Sequence, residues 1–207
     1  MRVLVINGSP RENGCTARAL KEVISILNAE GIETEVFNVG SKQISGCLSC
    51  NYCREKNECV IDDYVNELTK NFEEADGLLV GSPVYYAGCN GTVLSLLDRL
   101  FHSKRIDKTM KVGAAVLSSR RGGSTSAFDE INKYFTIANM PVVSSTYWNE
   151  VHGYEPSDVE KDLEGLQTMR NLGRSMAYLI KCIQLGKEKY GQCPVERGAS
   201  TSFHDGK

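Results

Sequence analysis

Val3–Ile6 (VLVI) opens straight into Asn7–Thr16 (NGSPRENGCT). Four apolar residues without alternation mark a strand covered on both faces, as in parallel sheets. The ten residues after it are mostly turn formers and small polar residues. Ala17–Ala29 then sets Ala19, Leu20, Val23, Ile26 and Leu27 at helical spacing, and Gly31 ends the run. A buried strand, a glycine-bearing loop and an amphipathic helix form the repeating unit of a doubly wound sheet.

The unit recurs outward from there. Glu33–Val39 (ETEVFNV) reads as a second strand, Gly77–Val80 (GLLV) as a third and Val112–Leu117 (VGAAVL) as a fourth. Pro141–Ser145 (PVVSS) begins a fifth. Between them Asp62 and Asp63 signal the start of a helix with Val65, Leu68 and Phe72 on one face, and Val93–Phe101 and Phe128–Ile137 also read as helices. Ser157 or Asp158 is suited to cap a last helix running to about Ile183. The expected fold is α/β: a doubly wound, five-stranded parallel sheet with helices on both faces. Residues 1–185 form one domain, a cysteine-bearing segment (46–62) is inserted after the second strand, and 186–207 is a tail.

Bulk properties agree. The chain has 207 residues, 41% hydrophobic and 24% charged, which is globular composition. A domain of this size buries roughly 70% of its unfolded surface and folds without disulfides. A net charge of −2 gives nucleic acid or anionic lipid no general attraction. No window has 18 uncharged apolar residues, and the N-terminal segment lacks the pattern of a secretion signal. The expected compartment is the cytoplasm, where the eight cysteines stay reduced.

Ligands of such sheets bind beyond the carboxyl ends of the strands, so the loops after strands one, three and four carry the function. The first supplies hydroxyls (Ser9, Thr16), an amide (Asn13), a guanidinium (Arg11) and two glycines, and runs into a helix start. That combination suits a phosphate. It is neither GxGxxG nor a Walker loop, and the second strand ends at Asn38 without an acid for a ribose. A mononucleotide such as FMN fits better than NAD. The third-strand loop sets Tyr85 beside Tyr86, one expected to meet a flat ring and the other to pack. Ser119-Arg120-Arg121-Gly122-Gly123 lets backbone approach that ring and brings arginine close to it.

These three stretches, GSPRENGCT, GSPVYYAG and SRRGG, resemble the NAD(P)H-dependent FMN reductases of flavodoxin-like fold. With CLSCNYCREKNECVIDD (Cys47–Asp63) added, the chain resembles their iron–sulfur flavoprotein branch. The resemblance covers roughly residues 1–185. It implies noncovalent FMN, with Ser9, Arg11, Asn13, Cys15 and Thr16 at its phosphate. Pro83, Val84, Tyr85 and Tyr86 would lie beside the ring, and Ser119, Gly122 and Gly123 at its other edge. Many relatives have asparagine where this chain has Cys15, which leaves the backbone N–H as the contact there. The resemblance also implies a homodimer or homotetramer and NAD(P)H or another donor as transient reductant.

Cys47, Cys50, Cys53 and Cys59 are spaced two, two and five residues apart. Ferredoxin-type runs hold a [4Fe–4S] cube with cysteines two apart. Structural zinc sites more often join two separated pairs. A cluster, zinc and no metal all remain open on spacing alone, with the cluster preferred. Three functions follow: an FMN and iron–sulfur electron-transfer oxidoreductase, an FMN-only quinone or nitro-compound reductase, and a non-enzymatic thiol or metal sensor. Flavin chemistry requires no protein acid or base, so no catalytic side chain is assigned. The loop holding Trp148, His152 and Tyr154 is a candidate cover for the site.

Overall fold

The computed structural model describes residues 1–199 and Thr201; Ser200 and residues 202–207, the end of the expected tail, lie outside them. Five parallel strands run in the order β2 (Glu33–Asn38), β1 (Arg2–Asn7), β3 (Gly77–Tyr85), β5 (Val112–Ser119), β6 (Glu150–His152). A two-residue strand, β4 (Gly88–Cys89), folds back antiparallel on β3. The alternation of side chains along a strand explains the uninterrupted apolar runs. In β1, Leu4 and Ile6 enter one core with Leu78, Val80, Ala115 and Leu117. Val3 and Val5 enter the other, with Leu79, Ala114 and Val116.

The first core is covered by α3 (Tyr64–Glu74), α4 (Gly91–His102) and α5 (Ser124–Ile137). The second is covered by α1 (Cys15–Ala29) and α7 (Leu163–Tyr190), which pack against each other. Chain order turns to one side of β1 for β2 and to the other for β3, so the reversal point lies between β1 and β3. Among the described residues no helix is long and apolar enough to cross a membrane.

Three features depart from the sequence reading. Pro141–Ser145 is not the fifth strand; it contributes one bridge, Val142 to Gly113, and the paired strand is β6, beside Leu117–Ser119. The expected segment starts on a proline without an N–H, and Ser144–Asn149 loops away before the chain rejoins the sheet edge. The last helix is broken: α6 (Pro156–Val159) is a single turn, and α7 starts at the Asp162 cap, whose carboxylate accepts from Gly165 N at 2.9 Å. It then continues past Ile183 and Gly186 to Tyr190. The cysteine segment holds a short helix of its own, α2 (Tyr52–Lys56).

Candidate functional site

The loop after β1 is fixed from below. Asn7 is buried; its Oδ1 accepts from Ser9 N at 3.1 Å and its Nδ2 donates to Asn38 Oδ1 at 2.9 Å. Gly8 N donates to Gly81 O at 2.8 Å, and Gly8 O accepts from Asn90 Nδ2 at 2.7 Å. The contacts leave no room for side chains: a Cβ on Gly8 would stand 1.9 Å from Val93 Cγ2. Ser9 Oγ accepts from Arg11 N at 3.2 Å, and the loop delivers Gly14 as N-cap of α1. No side chain caps that helix, so its first N–H groups are available to an anion.

Beyond this loop a crevice of about 250 Å³ opens at the carboxyl ends of β1, β3 and β5. From the loop after β1 and the start of α1, Ser9, Arg11, Gly14, Cys15 and Thr16 line it. Thr16 Oγ1 lies 2.8 Å from Ser118 Oγ, a contact that ties α1 to β5. Cys15 turns its thiol to the Gly153 carbonyl at 3.6 Å, and burial raises the pKa of that thiol. Asn13 is exposed and does not line the crevice.

From β3, Pro83, Val84 and Tyr85 line the crevice as well. The expected loop there is an extension of β3, closed by a two-residue turn at Tyr86–Ala87. Both residues are left-handed, with φ of 51° and 62°, where hairpins ordinarily place Asn-Gly. Ser126 Oγ donates to Ala87 O at 2.6 Å and Cys89 N to Glu130 Oε2 at 2.7 Å, which secures the turn. Neither tyrosine packs inside, contrary to expectation: Tyr85 is 47% exposed and Tyr86 wholly so, because the turn projects away from the core.

The third loop contributes Ser118, Ser119 and Arg120. Ser119 Oγ donates to Arg121 O at 2.8 Å and its carbonyl accepts from Gly153 N at 3.0 Å. Gly123, expected at the ring, instead supports the Tyr86–Ala87 turn: its φ is 99°, and a Cβ would stand 2.9 Å from Ala87 Cα. Gly122 is exposed and outside the lining. Gly153 and Tyr154 complete the rim. The guanidinium groups of Arg11 and Arg120 lie 5.9 and 5.5 Å from the Tyr154 ring centre, within cation–π range. His152 is exposed, its Nδ1 3.7 Å from Asp162, and does not line the crevice. The sequence reading missed Asn7, Asn90 and Ser118, and named Tyr154 only as part of a cover.

A second cavity, about 150 Å³, lies toward the other end of α4. All four of Cys47, Cys50, Cys53 and Cys59 line it, joined by Arg99 and His102 from α4 and by Ser103, the residue that ends it. The loop curls through left-handed Ser49, Asn51 and Asn57 (φ 52°, 60° and 57°), and Ser49 N donates to Cys47 Sγ at 3.4 Å. Arg99 is buried and donates to Cys59 Sγ from Nε (3.3 Å) and Nη2 (3.2 Å), and to both Asp63 oxygens (2.6 and 2.8 Å). Burial works against its charge, but the bonds to Asp63 and Cys59 outweigh that and raise its pKa. Ser103 Oγ is buried without a hydrogen-bond partner. The thiols are free, and among the described residues no three metal-ligating side chains yet converge at coordinating distance. Cys89 is buried elsewhere; Cys182 and Cys193 are exposed and outside the lining.

Four cysteines lining one cavity, with N–H donors aimed at two of the sulfurs and an orphaned hydroxyl, are a donor set of the kind that takes an iron–sulfur cluster. An uncapped helix start, hydroxyls and a guanidinium lining one crevice together with a tyrosine suit FMN.

Residues 1–155 match the family described as NADPH-dependent FMN reductase. An iron–sulfur flavoprotein of Methanocaldococcus jannaschii is 38% identical over 89% of this chain and all of its own length. Another, of Methanosarcina thermophila, is 28% identical over 91% of this chain and all of its own. Among solved structures, RosB with a bound 8-demethyl-8-formylriboflavin-5'-phosphate intermediate shares the fold, with a TM-score of 0.70 at 16% identity, covering 98% of this chain and 93% of that one. A flavodoxin from the domain Archaea has a TM-score of 0.59 at 19% identity, covering 87% and 99%. The chain therefore belongs to the NADPH-dependent FMN reductase family, in its iron–sulfur flavoprotein branch, and is a flavin-dependent oxidoreductase of flavodoxin-like fold.

Proposed function

We propose that the chain is an electron-transfer oxidoreductase holding FMN in the crevice at the β1/β3 reversal and a [4Fe–4S] cluster in the cysteine cavity. When bound, FMN supplies the exchange of electrons in pairs, as hydride, and singly. The observation that carries the reading is the make-up of the crevice: Ser9, Arg11, Thr16 and the uncapped start of α1 line the same crevice as Pro83, Val84 and Tyr85.

In this reading Ser9, Arg11 and Thr16 grip the phosphate, while Cys15 and Asn13 offer backbone N–H. Pro83, Val84 and Tyr85 flank the ring, with Tyr86 reaching it from the turn. Ser119 bounds the other edge, and Gly122 and Gly123 shape the loop that bears it. Arg120 places positive charge near the ring, and Tyr154 between two guanidiniums limits water at the rim. Cys47, Cys50, Cys53 and Cys59 ligate the cluster. The donor is NAD(P)H or a ferredoxin-type protein, the acceptor a small molecule or protein, and the working form a homodimer or homotetramer in the cytoplasm.

Because the thiols do not yet converge, a second reading stands beside it: an FMN-only NAD(P)H-dependent reductase. Anaerobic purification with flavin, iron and sulfide assays separates them. Bound FMN with about four irons per chain supports the first. Bound FMN without iron, even after reconstitution, supports the second. Zinc or a reversible disulfide without flavin would make the chain a thiol or metal sensor, and a phosphate-free protein that declines added FMN ends both flavin readings.

A further inference from the structure

Arg99 is a charged side chain with 1% exposure. Burying a guanidinium is costly unless its donors are satisfied. Its partners lie on both sides of the cysteine segment. Nη1 donates to Ser45 O (3.2 Å), before the first cysteine, and Nη2 to Ile61 O (3.4 Å), after the last. The paired bonds to Asp63 anchor the same end. Sulfur takes the single Nε–H, and Nη2, which has two N–H groups for Asp63 Oδ1, Ile61 O and Cys59 Sγ, shares one with the sulfur.

We infer that Arg99 is the positioning residue of the metal centre: it draws the two ends of the 46–62 loop together, presents Cys59 as the fourth ligand through two N–H···S bonds, and so sets the potential of the cluster. This rests on the cluster reading above. A mere staple between loop and helix would need only the carboxylate and the two carbonyls. Instead Cys59 is held twice. Its backbone exchanges two 2.9 Å hydrogen bonds with the Asn66 side chain, and its sulfur takes two from Arg99. One turn further along α4, Ser103 faces the same cavity with its hydroxyl unpartnered, a separate sign that a polar group belongs there. N–H bonds to ligand sulfur favour the more negatively charged, reduced cluster. Lysine cannot reproduce the guanidinium's planar fork.

The test compares anaerobically reconstituted wild type with R99K, R99M and D63N. It reads iron and FMN per chain, the cluster's midpoint potential by EPR-monitored titration, and the rate of iron loss to a chelator. R99K is expected to keep FMN, to titrate at a more negative potential and to lose iron several-fold faster. R99M is expected to go further, up to complete loss of iron with FMN retained. D63N removes a negative charge but leaves the bonds to sulfur, so its potential is expected to stay or move positive. Equal potentials and release rates in wild type and R99K overturn the role of Arg99 while leaving the cluster. If R99K takes up no iron, D63N decides, and a negative shift there overturns it. A wild type that loads no iron sinks the cluster reading instead.

Discussion

The Asn90 amide donates to the Gly8 carbonyl at 2.7 Å, joining the start of α4 to the loop after β1. The same side chain caps α4, its oxygen accepting from Thr92 N at 3.2 Å. One residue thus holds the loop after β1 and begins the helix whose far end bears Arg99, roughly 14 Å along the axis at 1.5 Å per residue. Losing a cap costs about 1 kcal/mol and orphaning a buried carbonyl about 1–3 kcal/mol. Asn90→Ala is therefore expected to destabilise the apoprotein by about 2–4 kcal/mol in urea. It is also expected to weaken FMN binding about tenfold, or ~1.4 kcal/mol. Asn90→Asp keeps the acceptor and loses the donor, so it should restore the cap and not the affinity. Full affinity in Asn90→Asp would remove the Gly8 bond from the account.

Gly40 touches the same loop from the end of β2. A Cβ there would stand 2.2 Å from the Ser9 carbonyl carbon and 2.3 Å from Gly8 O. Both neighbours are backbone, so no rotamer change relieves the clash. Gly40→Ala should displace the loop and lower FMN affinity by well over tenfold in a fluorescence titration. Gly186→Ala serves as the control: it lies in α7 with nothing within 4 Å, so affinity stays and stability rises by up to ~1 kcal/mol. Equal behaviour of the two variants would mean that the close approach does not shape the site.

The features legible in the sequence share a local cause. The runs at Val3–Ile6, Gly77–Val80 and Val112–Leu117 are apolar because alternate residues serve two cores, so strand identity and sheet class could be read directly. The crevice lining was legible at Ser9, Arg11, Tyr85 and Ser119, at or just after strand ends, and at Thr16 in the first turn of α1. What escaped depends on contacts distant in sequence. Asn7 bonds the Asn38 side chain and Asn90 the Gly8 carbonyl, partners that only the fold brings near, though Asn90 before a glycine and an apolar period is a readable cap. Arg99 sits in DRLF like any solvated helix charge, and only α4's packing under the cysteine loop reveals its partners. Edge strand β6 has one paired neighbour, so weak apolar pattern suffices there and PVVSS misleads. The SRRGG motif does not reveal that Gly123, with its positive φ, packs against the Tyr86–Ala87 turn.

Cys89 gives the fold an alkaline limit. Burial, then the Glu130 carboxylate, pushes its thiol up from 9.0 to about 12, while Sγ donates to Ala127 O at 3.2 Å. Below pH 9 the thiol is protonated in both folded and unfolded chains, and its contribution is complete. Between pH 9 and 12 the unfolded chain ionises and the folded one does not. Stability should then fall with rising pH by up to ~1.4 kcal/mol per unit. Cys89→Ala should lower stability at neutral pH through the lost packing yet flatten the decline above pH 9. Urea midpoints taken at successive pH values for both proteins read the difference in slope. Parallel curves would show that Cys89 does not titrate late.

The Tyr86–Ala87 turn holds two non-glycine residues at positive φ, a conformation that costs about 1–2 kcal/mol for each. Asn-Gly fits the same turn without that cost. Tyr86 is exposed and outside the crevice lining, and the proposal that it reaches the flavin from this turn can be tested directly. Ala87→Gly alone relaxes the backbone and keeps Tyr86; it is expected to gain about 1 kcal/mol of stability with FMN affinity unchanged. Tyr86→Asn is expected to gain stability as well, but to lose FMN affinity about tenfold, because the aromatic face offered to the ring is gone. Urea unfolding of the apoproteins and flavin fluorescence titrations separate the two effects. Unchanged affinity in Tyr86→Asn would detach this residue from the flavin and leave its full exposure as a feature of the surface alone.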